Sequence, residues 1–441
     1  MQGNKIVRDA VHGDIPLTNL EIKLLDTTAM QRLRGIRQTG TSYLVYPTAQ
    51  HTRFEHAIGT CFMAKTILEH LKLNNGIAVS KEDQTVIPIA ALLHDITHVP
   101  FGHTLEDERR IFPRHDSDPK RLQHFLVAGE IGEILSKEKI LDQVLDLLKE
   151  KSSGKQGLIW QSQVISHAIC ADLLDYLRRD SMFCGLNIDY DNRIFRYFIL
   201  ENEKLVLNLQ KKGLFRHDAF SEVIHLLRIR YFLTERVYYH HAKIAAGAMV
   251  SRAVERAVEL GFDPIELFSL ADDALLYVLN DRFGKDKIVH ALISNYNKRS
   301  LYKRCYVLTE HHITAAKRQS LSKAYHLNAY NQRSKMEKLI AREAGIPAEA
   351  VILYAPPPKM NLKEADVLVK VDEKRARPLG DWHNQEVSSL QEKYGKLWKF
   401  YVFVNPDYIQ RFTVVSDVCT KMFDQENELP MIQKGQLSLF A

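Results

Sequence analysis

A histidine next to an aspartate at the end of an apolar run is the first feature of the chain that could do chemistry. His94 and Asp95 close the run Ile87 to Leu93 and open the loop HDITHVPFGH, which adds His98 and His103. Buried polar groups need partners, and an imidazole beside a carboxylate offers a divalent metal both ligand types from one turn. The alternative is a satisfied core histidine with a capping aspartate. A second cluster, HTRFEH, sets Arg53 and His56 three residues apart on one side of a helical start. One can hold an anion while the other binds a metal, although a salt-bridged helix terminus has the same pattern. A third cluster, DLLDYLRRD, spaces Asp172, Tyr176 and Asp180 at i, i+4 and i+8. These three share a helical face, able to hold a metal and sugar hydroxyls together, or to form an exposed polar stripe.

The elements that must position these residues are mostly helices. Ala57, Phe62, Met63, Ile67, Leu68 and Leu71 are spaced for the buried face of a helix over Glu55 to Leu73. Thr52 and Glu55 make a capping box that places His56 in its first turn. A second helix is expected from Pro88, acceptable in a first turn, to about His94, with Pro100 and Gly102 enforcing the loop. Helices also fit Gln161 to Arg179 and Val223 to Leu260, and the polar stretch Lys149 to Gly157 reads as an exposed loop. Beyond Lys335 the composition shifts. Val351 to Tyr354, Val367 to Val371 and Lys399 to Val404 read as strands. The expected fold class is mainly α: a helical core over residues 1–330 and a small α/β C-terminal domain over 331–441.

A chain of 441 residues exceeds one ordinary core, which agrees with that division. No apolar run approaches the roughly 18 residues of a membrane span, and the N-terminus lacks the apolar segment of a signal peptide. Five scattered cysteines, Cys61, Cys170, Cys184, Cys305 and Cys419, suit reduced thiols and a cytoplasmic location. The net charge of +6 is mild; it favours anionic ligands without indicating a nucleic-acid binder.

The order H…HD…D, with 38 residues from His56 to His94 and 77 from Asp95 to Asp172, resembles the HD superfamily of phosphohydrolases. The words VHGDI, QRLRGIRQTG, YPTAQHTRFEHAIG, LLHDITHVPFGH and LLDYLRRD, in that order over roughly residues 5–250, are similar to its deoxynucleoside triphosphate triphosphohydrolase branch. The resemblance implies an HD-domain helical core and hydrolysis of dNTPs to deoxynucleoside and triphosphate. It implies His56, His94, Asp95 and Asp172 as ligands of a divalent metal (Mn, Mg, Fe, Zn, Ni or Co), and His98, His103, Glu106 and His115 as catalytic groups beside the phosphates. In this variable loop His124 competes with His115 for its place. Gln38, Arg53, Tyr176, Asp180, Arg230 and Tyr238 fall at positions that hold sugar and phosphates. An activating nucleotide and a homo-oligomer, dimer or tetramer, are implied through Lys5, Asp26, Gln31 and Arg34, a set that is equally a surface salt-bridge network.

This chain departs from the pattern at Leu173, Thr234, Thr97 and Glu106, which bears on substrate choice and rate but not on the four ligands. Two other readings compete. The same metal chemistry serves a phosphodiesterase or nuclease, although no basic strip interleaved with aromatics suggests a long strand. A nucleotide-binding regulator with a vestigial site is the other.

Overall fold

Ala57, Cys61, Ala64, Leu68 and Leu71 recur every three or four residues and are all buried, so the helix Arg53–Asn75 forms around a continuous apolar stripe. It lies between the helices Asp83–Leu93 and Ala171–Phe183, and these three form the frame of the site. At Gly59 the third helix comes close: a Cβ there would stand 1.8 Å from an Asp175 carboxylate oxygen. The computed structural model describes residues 5–75, 79–153, 160–327 and 329–438. The fold is mainly α, a helical core with small sheets in its C-terminal region.

Several boundaries differ from the sequence expectation. The second helix begins at Asp83, so Pro88 stands in its interior rather than in its first turn. Its start signal lies upstream, where the Ser80 hydroxyl accepts from the Asp83 N–H at 2.9 Å and the Asp83 carboxylate accepts from the Ser80 N–H at 3.3 Å. The helix expected over Gln161 to Arg179 is two, Trp160–Ile165 and Ala171–Phe183, broken at the extended residue Cys170. The helix expected over Val223 to Leu260 is also two, His217–Leu233 and His241–Glu259, joined through a π turn over Thr234–Tyr238. The helix Leu141–Ser153 runs through the first part of the expected Lys149 to Gly157 loop, and residues 154–157 lie outside the described residues.

A hairpin, Lys5–Asp9 with Gly13–Leu17, precedes the helices. In the C-terminal region, Lys399–Val404 is the centre of an antiparallel sheet between Lys303–Thr309 and Val351–Tyr354. Alternate residues of this central strand enter different cores: Phe400, Val402 and Val404 face one, Tyr401 and Phe403 the other. The expected division at residue 330 therefore falls between the first strand of this sheet and its two partners. Leu368–Lys370 joins a different sheet, parallel to Lys204–Asn208. All five cysteines are buried thiols. Among the described residues no helix is long and apolar enough to cross a membrane.

Candidate metal centre and cavity

Three helix ends converge on one point. His56 comes from the first turn of Arg53–Asn75, where the Glu55 carboxylate accepts from the Thr52 N–H and hydroxyl. His94 caps the end of Asp83–Leu93 with Asp95 next to it, and Asp172 stands in the first turn of Ala171–Phe183. His56 Nε2 is 3.2 Å from Asp172 Oδ1 and 3.8 Å from Asp95 Oδ2. His94 Nε2 is 3.3 Å from Asp95 Oδ1 and 3.7 Å from Asp172 Oδ1. Both imidazoles are buried, and among the described residues neither Nε2 has a hydrogen bond of good geometry. Burial alone would lower the His56 pKa, but the Asp172 and Asp175 carboxylates against its ring raise it to about 10. The donor set thus asks for positive charge at its centre. Two imidazoles and two carboxylates fit a divalent cation.

The ligands are themselves held. His94 Nδ1 bonds the Ala91 carbonyl at 2.8 Å and His56 Nδ1 bonds Asp175 Oδ2 at 2.7 Å. Asp175 also bonds His12 Nε2 at 2.6 Å and accepts from the Arg179 guanidinium at 2.9 Å, which in turn reaches Asp9. Burial opposes the Asp175 charge, yet Arg179, His12 and His56 hold its carboxyl well below the usual range. These outer partners, Asp9, His12, Asp175 and Arg179, were absent from the sequence-derived set. Their sequence signals are the word VHGDI, which contains His12, and the word LLDYLRRD, which contains Asp175 and Arg179; Asp9 stands outside both.

Beside the metal set, His98 and His115 stack with ring centroids 3.6 Å apart, and His103 stands edge-on to both. Glu106 bonds His115 Nδ1 at 3.0 Å and accepts from Arg121 at 2.6 Å. Burial opposes the Glu106 charge, but the surrounding histidines hold its carboxyl well below the usual range. Burial, reinforced by the Arg53 and His115 charges, keeps His98 neutral. His103 is 49% exposed and faces the cavity. His124 packs against Phe125 and Phe268, so of the two candidates His115 joins the group. The loop carrying His98 and His103 turns through Phe101 and Gly102, both at positive φ, and the buried Asp272 accepts from the Phe101 N–H at 2.7 Å. A Cβ on Gly102 would meet the Arg53 guanidinium at 2.6 Å.

A cavity of about 600 Å³ opens over these groups. Gln38, Arg53, Tyr176, Asp180, Arg230 and Tyr238 all line it, with Asp95, Asp172, His103 and His115. Arg53 donates to Asp95 at 2.5 Å. Asp180 bonds His51 Nε2 at 2.8 Å and accepts from the Tyr238 hydroxyl at 2.5 Å. Arg230 lies over the Tyr176 and Tyr238 rings and pairs with Glu364 at 2.9 Å. The Gln38 side-chain oxygen is buried and, among the described residues, has no hydrogen-bond donor. Lys243, Tyr354, Lys363 and Tyr394, which carry no motif, line the same cavity. Lys5, Asp26, Gln31 and Arg34 do not line it. Arg34 donates to Gln31 at 2.8 Å and covers the Phe54 ring, while Lys5 and Asp26 are exposed.

Two family models match the chain: the HD domain over residues 53–180 and the HD associated region over residues 188–428. An uncharacterized protein of Methanocaldococcus jannaschii is 32% identical over 308 residues, 68% of this chain and 59% of that protein. The deoxynucleoside triphosphate triphosphohydrolase SAMHD1 homolog of Dictyostelium discoideum is 26% identical over 317 residues, 68% of this chain and 60% of that protein. The matches therefore span less than two thirds of these relatives. The crystal structure of a phosphohydrolase from Bacteroides thetaiotaomicron has the same fold, with a TM-score of 0.68 at 22% identity, over 91% of this chain and all of that one. With the ligand geometry and both family matches in agreement, the chain belongs to the HD-domain phosphohydrolase superfamily, in the group that carries the HD-associated region and is similar to the deoxynucleoside triphosphate triphosphohydrolases.

Proposed function

We propose that this metal-dependent phosphohydrolase converts deoxynucleoside triphosphates into deoxynucleoside and triphosphate. The observation that carries this reading is the cavity itself. Metal ligands lie at one side, while Gln38 Oε1, an unpartnered buried acceptor, and the Asp180 carboxylate line the same space. Its volume of about 600 Å³ suits one mononucleotide. The name of the Dictyostelium relative points the same way.

His56, His94, Asp95 and Asp172 would hold the cation, which when bound neutralises phosphate oxygens and lowers the pKa of water. Arg53 and Arg230 present guanidinium donors to phosphate. Gln38 and Asp180 accept from the sugar 3′-hydroxyl, and Tyr176 and Tyr238 wall the ring. Attack of water on the phosphorus nearest the sugar forms the new P–O bond as the bond to the 5′ oxygen breaks, the water's proton passing to the histidine group. That oxygen leaves as an alkoxide and needs a proton, which the His98, His103 and His115 group beside Glu106 is placed to deliver.

The same reading includes activation by a nucleotide in a homo-oligomer, through the outward-facing Lys5, Asp26, Gln31 and Arg34. A product assay tests both parts. Each dNTP, alone and mixed with the others, is incubated with protein and Mn or Mg, and the products are separated by ion exchange beside an Asp95→Ala control. Deoxynucleoside with intact triphosphate, absent in the control, is the expected result; a nucleoside monophosphate with pyrophosphate, or no product from any mixture, overturns it. Turnover and sedimentation that do not change on mixing remove the activator.

A further inference from the structure

Lys243 is the third residue of the helix His241–Glu259, and its side chain lines the cavity. The helix is fixed there: the Lys243 carbonyl accepts from the Thr41 hydroxyl at 2.9 Å, and one turn on, a Cβ at Gly247 would meet Thr104 Cγ2 at 2.9 Å. Of the other lysines and arginines of the cavity wall, Lys363 is exposed and the three arginines have carboxylate partners. Arg53 pairs with Asp95 at 2.5 Å, Arg114 with Asp107 at 2.8 Å and Arg230 with Glu364 at 2.9 Å. Among the described residues, Lys243 makes no ion pair. The one acid that acts on it, Asp107, is already committed to Arg114.

Two further effects disfavour its charge. Burial pushes the ammonium down to about 8, and the first turn of a 19-residue helix adds the positive end of the backbone dipole. A cation kept in such a place, in a cleft, marks a site built for an anion. A neutral base cannot supply the missing negative charge, whereas a polyphosphate can.

We infer that Lys243 binds the phosphates of the substrate beyond the one that is attacked. This rests on the triphosphohydrolase reading above but can be tested apart from it. Full-length wild type, Lys243→Met and Lys243→Arg are compared in three measurements: calorimetric binding of inorganic tripolyphosphate, steady-state kinetics on dNTPs, and thermal melting. Loss of one charge-assisted hydrogen bond predicts tripolyphosphate affinity and KM each about tenfold worse in Lys243→Met, with kcat within about threefold. Lys243→Arg is expected to retain both, and Lys243→Met to melt no lower than wild type, because an unpaired charge has been removed.

Unchanged affinity and KM in Lys243→Met would overturn the inference. So would an altered order of preference among the bases at constant tripolyphosphate affinity, which assigns Lys243 to the base. A lower melting point that Lys243→Arg does not restore assigns it to the fold instead. Tripolyphosphate binding that needs Lys243 in a protein inactive on every dNTP keeps this inference and removes the triphosphohydrolase reading. Deoxynucleoside and triphosphate produced by Lys243→Met with wild-type KM and wild-type tripolyphosphate affinity do the reverse.

Discussion

Asp175 connects four side chains at once. Its two oxygens receive His56, His12 and Arg179, and Arg179 carries the connection to Asp9. A carboxylate behind a metal-ligating histidine fixes the ring and raises its basicity, and losing it typically weakens metal binding about 10- to 100-fold. In Asp175→Asn the amide can still accept from one neighbour, but it carries no charge to orient His56. The variant is expected to hold metal at least about tenfold more weakly, measured by metal analysis after dialysis against graded chelator. Metal content equal to wild type, in protein with an unchanged circular dichroism spectrum, would show that His56 needs no such support. His12 gives the N-terminal hairpin a direct part in this arrangement, since its side chain is only 1% exposed against Asp175.

At the scale of elements, the site depends on how closely two helices approach and on where a third one turns. Gly59 lets Ala171–Phe183 lie against Arg53–Asn75, with the Asp175 carboxylate occupying the space a Cβ would need. That carboxylate cannot swing away, being bonded on both oxygens. Gly59→Ala is therefore expected to lose about 1–3 kcal/mol of stability through overpacking, read by urea denaturation, and to weaken metal binding with it. An unchanged midpoint would mean that the helices separate freely. The π turn Thr234–Tyr238 is the second device. Arg230 and Tyr238 are eight residues apart, and the extra residue in that turn changes the angular spacing so that both face the cavity.

At the scale of the whole molecule, the C-terminal region is tied to the core by a buried ionic network. Arg109 reaches Glu255 at 2.7 Å and also pairs with Glu337, Arg333 donates to Glu108 at 2.6 Å, and Arg252 lies 3.2 Å from Glu337. All six groups are buried. Glu108 and Arg109 follow the short helix His103–Asp107, so the network also anchors the segment that carries His103 and Glu106. Arg109→Met leaves Glu255 and Glu337 short of a partner in the interior. The expected loss is about 3–5 kcal/mol of unfolding free energy, measured by chemical denaturation. A loss under about 1 kcal/mol would mean that water reaches the network.

By itself the sequence singled out His56, the His94–Asp95 pair and Asp172 as candidate groups, through a cap, an apolar run and an i+4 spacing, and only the family resemblance joined them into one metal set. Resemblance added Arg230 and Tyr238, which line the cavity. Local pattern did not reveal the breaks at Cys170 and Thr234, since the apolar spacing carries across both and only packing makes the chain turn there. Nor did it reveal Asp175, which reads like any helical acid until Arg179, His12 and His56 surround it. The tertiary structure alone decided which of His115 and His124 joins the histidine group, and that Lys243, Tyr354 and Tyr394 reach the cavity. The physical reason is range. Caps and periodicities act within a turn or two of the chain, whereas a cavity wall, or a carboxylate shared by three side chains, exists only once distant segments meet.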